Sequence, residues 1–181
     1  MEKKILFAGF GGQGILFSGK FIVYTGMLQG QDVSWLPSYG PEMRGGTANC
    51  SVIISDLPIG SPIVANPDVL VVMNLPSLDK YEEAVVPGGS IYIDSSLIGR
   101  KCVRSDVACH YIPATELAFE NGLQGLANMI ICGNIIKNEN LCSSEILESA
   151  MKKVIPERKQ QMFASNIKAV DMGYNFVAAG G

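Results

Sequence analysis

Residues 5–8, Ile-Leu-Phe-Ala, are apolar without alternation, and Gly9-Phe10-Gly11-Gly12-Gln13-Gly14 closes them at once. A continuous apolar run bounded by glycine is the pattern of a strand buried on both faces of a parallel or mixed sheet. After the turn, Ile15, Leu16, Phe21, Ile22, Val23, Met27 and Leu28 recur at helical spacing, and Gly30 supplies a stop. Strand, glycine turn and helix in that order open an α/β domain.

The rest of the chain keeps the alternation. Residues 32–35 predict a second strand, and the proline- and glycine-bearing residues 36–46 a loop. Residues 47–55 set Thr47, Asn49 and Ser51 against Ala48, Cys50, Val52 and Ile54, the period-two pattern of a strand with one polar face. Residues 69–73 predict another buried strand and residues 78–85 a short helix. The Pro87-Gly88-Gly89 turn leads into a strand over 90–94, with a last strand over 107–112. Helical periodicity over 114–137 is interrupted by Gly122, Gly125 and Gly133. A helix over 143–154 is capped by Ser143 and broken by Pro156, a final helix covers 157–171, and residues 174–181 fray. With no repeat or linker, residues 1–181 read as one three-layer α/β domain.

Composition narrows the function. Only 17% of the residues are charged while 48% are hydrophobic, against about a quarter charged in an average soluble domain; apolar surface destined for a partner is the expectation. A net charge of -3 with scattered Lys and Arg argues against nucleic acid. No apolar run reaches the length of a spanning helix, and Met1-Glu2-Lys3-Lys4 leads into a strand rather than a signal peptide, so a cytoplasmic protein is expected. The five cysteines, Cys50, Cys102, Cys109, Cys132 and Cys142, form no C-x-x-C pair and read as small buried hydrophobes.

Gly9, Gly11 and Gly14 satisfy G-x-G-x-x-G between a strand and a helix, where backbone N–H groups can approach an anion. A dinucleotide fold also places an acid at the end of its second strand, about twenty residues on, for the ribose. Here Asp32 begins that strand, and Trp35 and Leu36 stand at its end. A phosphate contact or simple close packing of strand and helix remain as readings of the turn.

The second glycine-rich stretch, Ser38-Tyr39-Gly40-Pro41-Glu42-Met43-Arg44-Gly45-Gly46, presents one guanidinium between glycines. Together the two stretches closely resemble the gamma subunit of 2-oxoacid:ferredoxin oxidoreductases. The likeness covers residues 5–94, including Val52-Ile53-Ile54-Ser55-Asp56 and Pro67-Asp68-Val69-Leu70, and continues more weakly to the end. Thr47-Ala48-Asn49-Cys50-Ser51 and Ile59-Gly60-Ser61-Pro62 look most like the 2-oxoglutarate branch, although pyruvate and branched-chain relatives share the core motifs.

The resemblance implies an α/β/α fold with a mixed, largely parallel sheet. It also implies a non-catalytic subunit that assembles with alpha and beta chains, a delta chain being a further candidate, and that reaches ferredoxin through the complex. The assembled enzyme would oxidatively decarboxylate a 2-oxoacid to an acyl-CoA. Thiamine diphosphate, magnesium and iron–sulfur clusters would belong to the partner chains, and this sequence has neither a G-D-G motif nor a cysteine cluster. Gly9, Gly11, Gly12, Gln13, Gly14, Ser38, Tyr39, Arg44, Gly45 and Gly46 are the candidates for supporting coenzyme A or completing a subunit junction. No metal ligand or catalytic residue is expected, and the sole histidine, His110, reads as structural. A free-standing nucleotide-binding protein using the glycine turn and a ligand-free assembly factor are the competing readings.

Overall fold

Strand β1 (Glu2–Phe10) takes the centre of the sheet because Ile5, Leu6, Phe7 and Ala8 leave it no polar face: none is more than 4% exposed. In the computed structural model, which describes residues 2–38 and 47–177, the other strands are β2 (Asp32–Ser38), β3 (Thr47–Ser55), β4 (Val69–Val72), β5 (Ser90–Asp94) and β6 (Ala108–Ile112). They lie in the order β2-β3-β1-β4-β5-β6. β3 is antiparallel to β1 and to β2, whereas β1, β4, β5 and β6 run parallel. The sheet is therefore mixed and largely parallel.

Side-chain alternation divides the core. Ile5, Phe7, Val69, Val71 and Tyr92 point to the larger cluster, under helices α1 (Ile15–Leu28) and α4 (Ala127–Asn138). Leu6, Leu70, Val72, Ile91 and Ile93 point the other way, to Leu78 of helix α2 (Leu75–Tyr81), Val85, Val64 and Ile98. Three layers result, of unequal thickness. On the larger side α5 (Ser144–Val154) lies against α1, while α3 (Ala114–Glu120) and α6 (Phe163–Asn175) lie against α4. Ten consecutive residues of α4, from Ala127 to Ile136, are consequently buried, as befits a helix covered all round. Among the described residues no helix is long and apolar enough to cross a membrane.

Several expectations change. Leu36, Pro37 and Ser38 continue β2 instead of opening a loop; Pro37 is tolerated because β2 is an edge strand and needs no donor on its free side. The second face of β3 is not solvated: Ile53 packs in the smaller cluster, and Ser51 and Ser55 are buried beside it. α2 starts three residues earlier than predicted, because the Asn74 side chain caps it by accepting from the Ser77 amide at 2.8 Å. It ends in a 3-10 turn over Glu82–Ala84. Ser143 stands at the cap of α5, but its hydroxyl meets the Glu145 carboxylate rather than the helix backbone. The last helical segment opens as a 3-10 turn, Glu157–Met162, before α6 runs on to Asn175. Asn134 Nδ2 holds the end of α6, donating to the Gly173 carbonyl at 3.1 Å and to the Phe176 carbonyl at 3.4 Å, while residues 178–181 of the stretch expected to fray lie outside the described residues.

The glycines after residue 114 act in two ways. Gly122 and Gly125 take positive φ in the turn separating α3 from α4. Gly133 instead lies inside α4, where a Cβ would collide with the Val170 carbonyl oxygen; a Cβ on Gly173 would collide with that of Ile130. The two helices touch backbone to backbone. Gly133→Ala must push α6 away and should lower the stability of the chain by about 3 kcal/mol, the upper end of ordinary overpacking. Gly60, which has open space around its Cβ position, provides the control: in urea titrations Gly60→Ala should leave the midpoint nearly unchanged.

Candidate ligand-binding site

The chain leaves β1 toward β2 and β3 on one side, and leaves β4 toward β5 and β6 on the other. The carboxyl ends of β1 and β4 therefore flank a topological switch point, where open α/β sheets leave a crevice for ligands. Gln13 bridges it. Its Oε1 accepts from the Phe10 amide at 2.6 Å and its Nε2 donates to the Met73 carbonyl at 2.8 Å, tying the glycine turn to the end of β4.

Gly12 and Gly14 have φ of 93° and 76°, a region that strains residues bearing a Cβ. Gly14 is also the residue before the first turn of α1, and a Cβ there would lie 2.5 Å from Asn128 Nδ2. The Asn128 amide donates to the Gly14 carbonyl at 3.2 Å and to the Ser18 hydroxyl at 3.0 Å. Its Oδ1 is buried and has no hydrogen-bond partner among the described residues. An orphaned acceptor thus sits beside a helix start whose first amides have no intrahelical partners.

Two cavities meet at this turn. One, of about 300 Å³, is lined mainly by apolar groups, among them Met73, Leu97, Ala118 and Phe119. The other, of about 570 Å³, is bordered by Lys20, Arg158 and Lys159 and, among the described residues, by no carboxylate. Gly12, Gly125 and Asn128 line both. An apolar arm and a cationic end converge on the start of α1, where the helix dipole also favours negative charge.

The expected site residues divide accordingly. Gly12, Gln13 and Gly14 border the cavities, and Gly9 packs beneath, its Cβ position 2.7 Å from Gln13 Oε1. Gly11 is exposed at the tip of the turn. Ser38 ends β2 level with Asn49, and Asn49 with Ala8, so two strand spacings, about 10 Å, separate it from the end of β1. Tyr39, Arg44, Gly45 and Gly46 lie outside the described residues. Asp32 is level with Ser55 and Glu2, a full strand length from the turn, so it has no reach to a nucleotide there. Lys20, Asn128, Arg158 and Lys159 were not foreseen. They come from α1, α4 and the turn before α6, and no sequence spacing joins them.

The family model for pyruvate ferredoxin/flavodoxin oxidoreductase matches residues 4–176. This chain belongs to that family. It is 34% identical over 177 residues to the 2-oxoglutarate synthase subunit KorC of Methanocaldococcus jannaschii, covering 96% of this chain and 93% of the relative. It is 36% identical over 179 residues to the ketoisovalerate oxidoreductase subunit VorA of Methanothermobacter thermautotrophicus, covering 99% of this chain but only 36% of that longer relative. The solved gamma subunit of a keto/oxoacid ferredoxin oxidoreductase from Geobacter sulfurreducens superimposes with a TM-score of 0.81 at 28% identity, over 95% of this chain and 96% of the other. The fold also matches part of the 2-oxoglutarate:ferredoxin oxidoreductase of Magnetococcus marinus, solved with 2-oxoglutarate, coenzyme A and succinyl-CoA. There the TM-score is 0.85 at 23% identity, over 96% of this chain and 30% of that one. Its relatives are thus subunits of 2-oxoacid:ferredoxin oxidoreductases.

In this family member, the described residues include no group of three or more His, Cys, Asp or Glu side chains placed to hold a metal ion. Burial pushes the Cys50 and Cys132 thiols up to about 12, which keeps them protonated. His110 stacks on Tyr92 with ring centroids 4.4 Å apart. Burial holds it below the ordinary histidine value although Glu139 pulls the other way. The Tyr92 hydroxyl donates to Glu139 Oε1 at 2.9 Å, and Lys3 Nζ lies 2.8 Å from Oε2.

Two outcomes follow from these contacts. Gln13→Ala removes both bonds across the switch point and should cost about 1–2 kcal/mol in urea unfolding; an unchanged midpoint would mean the bridge holds nothing. Burial raises the Glu139 carboxyl, but Lys3, Ser90 and Tyr92 outweigh it and hold it below the ordinary value of 4.5. A depressed carboxylate contributes stability above its unfolded value and loses it as pH falls through the folded one. The stability gap between the wild type and Glu139→Gln should therefore be widest at neutral pH and close below about pH 4.5, as read from urea midpoints across that range.

Proposed function

We propose that this chain is the gamma subunit of a 2-oxoacid:ferredoxin oxidoreductase of the 2-oxoglutarate branch, and that its trough at the glycine turn takes part of coenzyme A. The joined cavities carry the reading. Coenzyme A combines a phosphate-rich nucleotide with a long uncharged arm. Lys20, Arg158 and Lys159 border the wider cavity with no competing carboxylate among the described residues, and the narrower one is lined largely by apolar groups. The Asn128 Oδ1, buried and unpartnered, offers an acceptor to a donor on the ligand. The coenzyme A bound in the Magnetococcus enzyme supports the same choice of ligand.

Within the assembled enzyme the chain would position the acyl acceptor while alpha and beta partner chains, with or without a delta chain, supply thiamine diphosphate, magnesium and the iron–sulfur clusters that pass electrons to ferredoxin. Its own residues would bind phosphate, shield the arm of the thiol carrier from water and complete the junction. The nucleotide-enzyme reading loses its support from the position of Asp32, a strand length away from the turn.

The isolated chain, given 2-oxoglutarate, thiamine diphosphate, coenzyme A and a viologen dye, should reduce no dye, whereas the purified complex should. Turnover by the chain alone would overturn the assignment. In the complex, Arg158→Glu should raise KM for coenzyme A ten- to a hundredfold, because a charge-assisted contact contributes roughly 1.5–3 kcal/mol. KM for 2-oxoglutarate and the melting temperature of the isolated chain should stay unchanged. Arg44→Ala tests the second glycine-rich stretch by the same two readouts together with co-purification of the partners. An unaltered coenzyme A affinity in Arg158→Glu would remove the trough from coenzyme A binding.

A further inference from the structure

A cavity of about 1000 Å³, larger than either at the glycine turn, lies away from that turn and is lined by four consecutive residues of β6, Cys109, His110, Tyr111 and Ile112. Cys109 and Tyr111 pack toward the smaller core cluster, whereas His110 stacks on Tyr92 and Ile112 belongs to the larger one. Successive strand residues point to opposite faces. One cavity can touch all four only if it runs along the open edge of the strand.

β6 is that edge, since among the described residues no strand follows it in the sheet. The Ala108 amide donates to the Gly89 carbonyl and the Ile112 carbonyl accepts from the Ser95 amide, both toward the β5 side. In a parallel ladder the N–H and C=O of one residue point to the same neighbour and alternate from residue to residue. The backbone groups of Cys109 and Tyr111 therefore face the cavity. The opposite edge, β2, carries Pro37, which has no N–H to offer an added strand.

Lys101 and Lys137 flank the slot, and among the described residues no carboxylate lines it and neither lysine forms an ion pair. Lys101 rests 3.9 Å from the centroid of the Tyr111 ring. Phe176 and exposed Val177 line it as well. A second copy of this chain, pairing edge to edge about a two-fold axis, would set these cations against their own copies, which disfavours it.

We propose that the slot beside β6 receives an extended, acidic segment of a partner subunit, which adds a seventh strand to the sheet through the backbone of Cys109 and Tyr111 and sets carboxylates against Lys101 and Lys137. This rests on the reading of the chain as a subunit. Strand addition draws affinity from main-chain hydrogen bonds and selectivity from the flanking side chains. Lysines beside an edge can also serve only to repel unwanted strands. The two roles part in the complex, because a guarded edge stays open to solvent there.

Hydrogen exchange of the full chain alone and within the native complex decides between them. The amides of Cys109 and Tyr111 should exchange at least tenfold more slowly in the complex. Cys109→Pro deletes an outward N–H without touching the ladder to β5. It should weaken capture of the partner chains tenfold or more, whereas Cys109→Ala should bind within twofold of wild type. Lys101→Glu combined with Lys137→Glu should weaken capture as well. If Cys109→Pro fails to fold, judged by its melting temperature, the exchange measurement decides alone. Partner chains that co-purify while the β6 amides stay unprotected would overturn this inference and leave the subunit reading standing. Protection that appears with the isolated chain as its concentration rises would overturn it in favour of self-association. If no partner chains co-purify at all, the subunit reading falls, and this inference with it.

Discussion

The double-sided burial of β1 governs the architecture. With Ile5 and Phe7 committed to one core cluster and Leu6 to the other, a slip of one residue would exchange the two faces against neighbours already packed on both. The register to antiparallel β3 and parallel β4 is thereby fixed. It delivers the glycine turn to the end of β4, where Gln13 can span from the Phe10 amide to the Met73 carbonyl. The start of α1, the switch-point crevice and both cavities at the turn inherit their positions from that register.

Elements defined by local chemistry were legible in the sequence. The continuous apolar runs of β1 and β4 and the helical spacing of α1 need no distant information, and the structure places them where the pattern did. What failed depended on tertiary context. Pro37 reads as a loop residue until β2 is known to be an edge strand. Gly133 reads as an interruption until α6 is known to press on it through Gly173. The polar residues of β3 read as a solvated face until Val64 and Leu78 are seen to cover the neighbouring side of the sheet.

The candidate site shows the same limit in sharper form. Gly12, Gln13 and Gly14 announce themselves by contiguity, because a turn is a local object. Lys20 and Arg158 are far apart in the chain, and two cations brought to one cavity by the packing of α5 on α1 and the turn that follows α5 leave no spacing to read. Asn128 is hidden further: one asparagine in an apolar helix looks like a defect. Only its contacts to the Gly14 carbonyl and Ser18 reveal that it joins α4 to the turn, with one acceptor left over.

The position of Asp32 explains how a glycine turn of dinucleotide type can serve a different ligand. The turn itself offers amides and a helix dipole, which suit any phosphate; selectivity for a dinucleotide comes from the acid that holds the ribose. In this chain that acid is level with Glu2, at the opposite end of the sheet from Gly14. Nearby carboxylates would oppose a ligand richer in phosphate, and among the described residues none lines the wider cavity, where Lys20, Arg158 and Lys159 stand instead. On the proposed reading, the same fold element would be turned from recognising a sugar beside a phosphate toward recognising phosphate charge alone, with the adjoining apolar cleft left to choose what the phosphate carries.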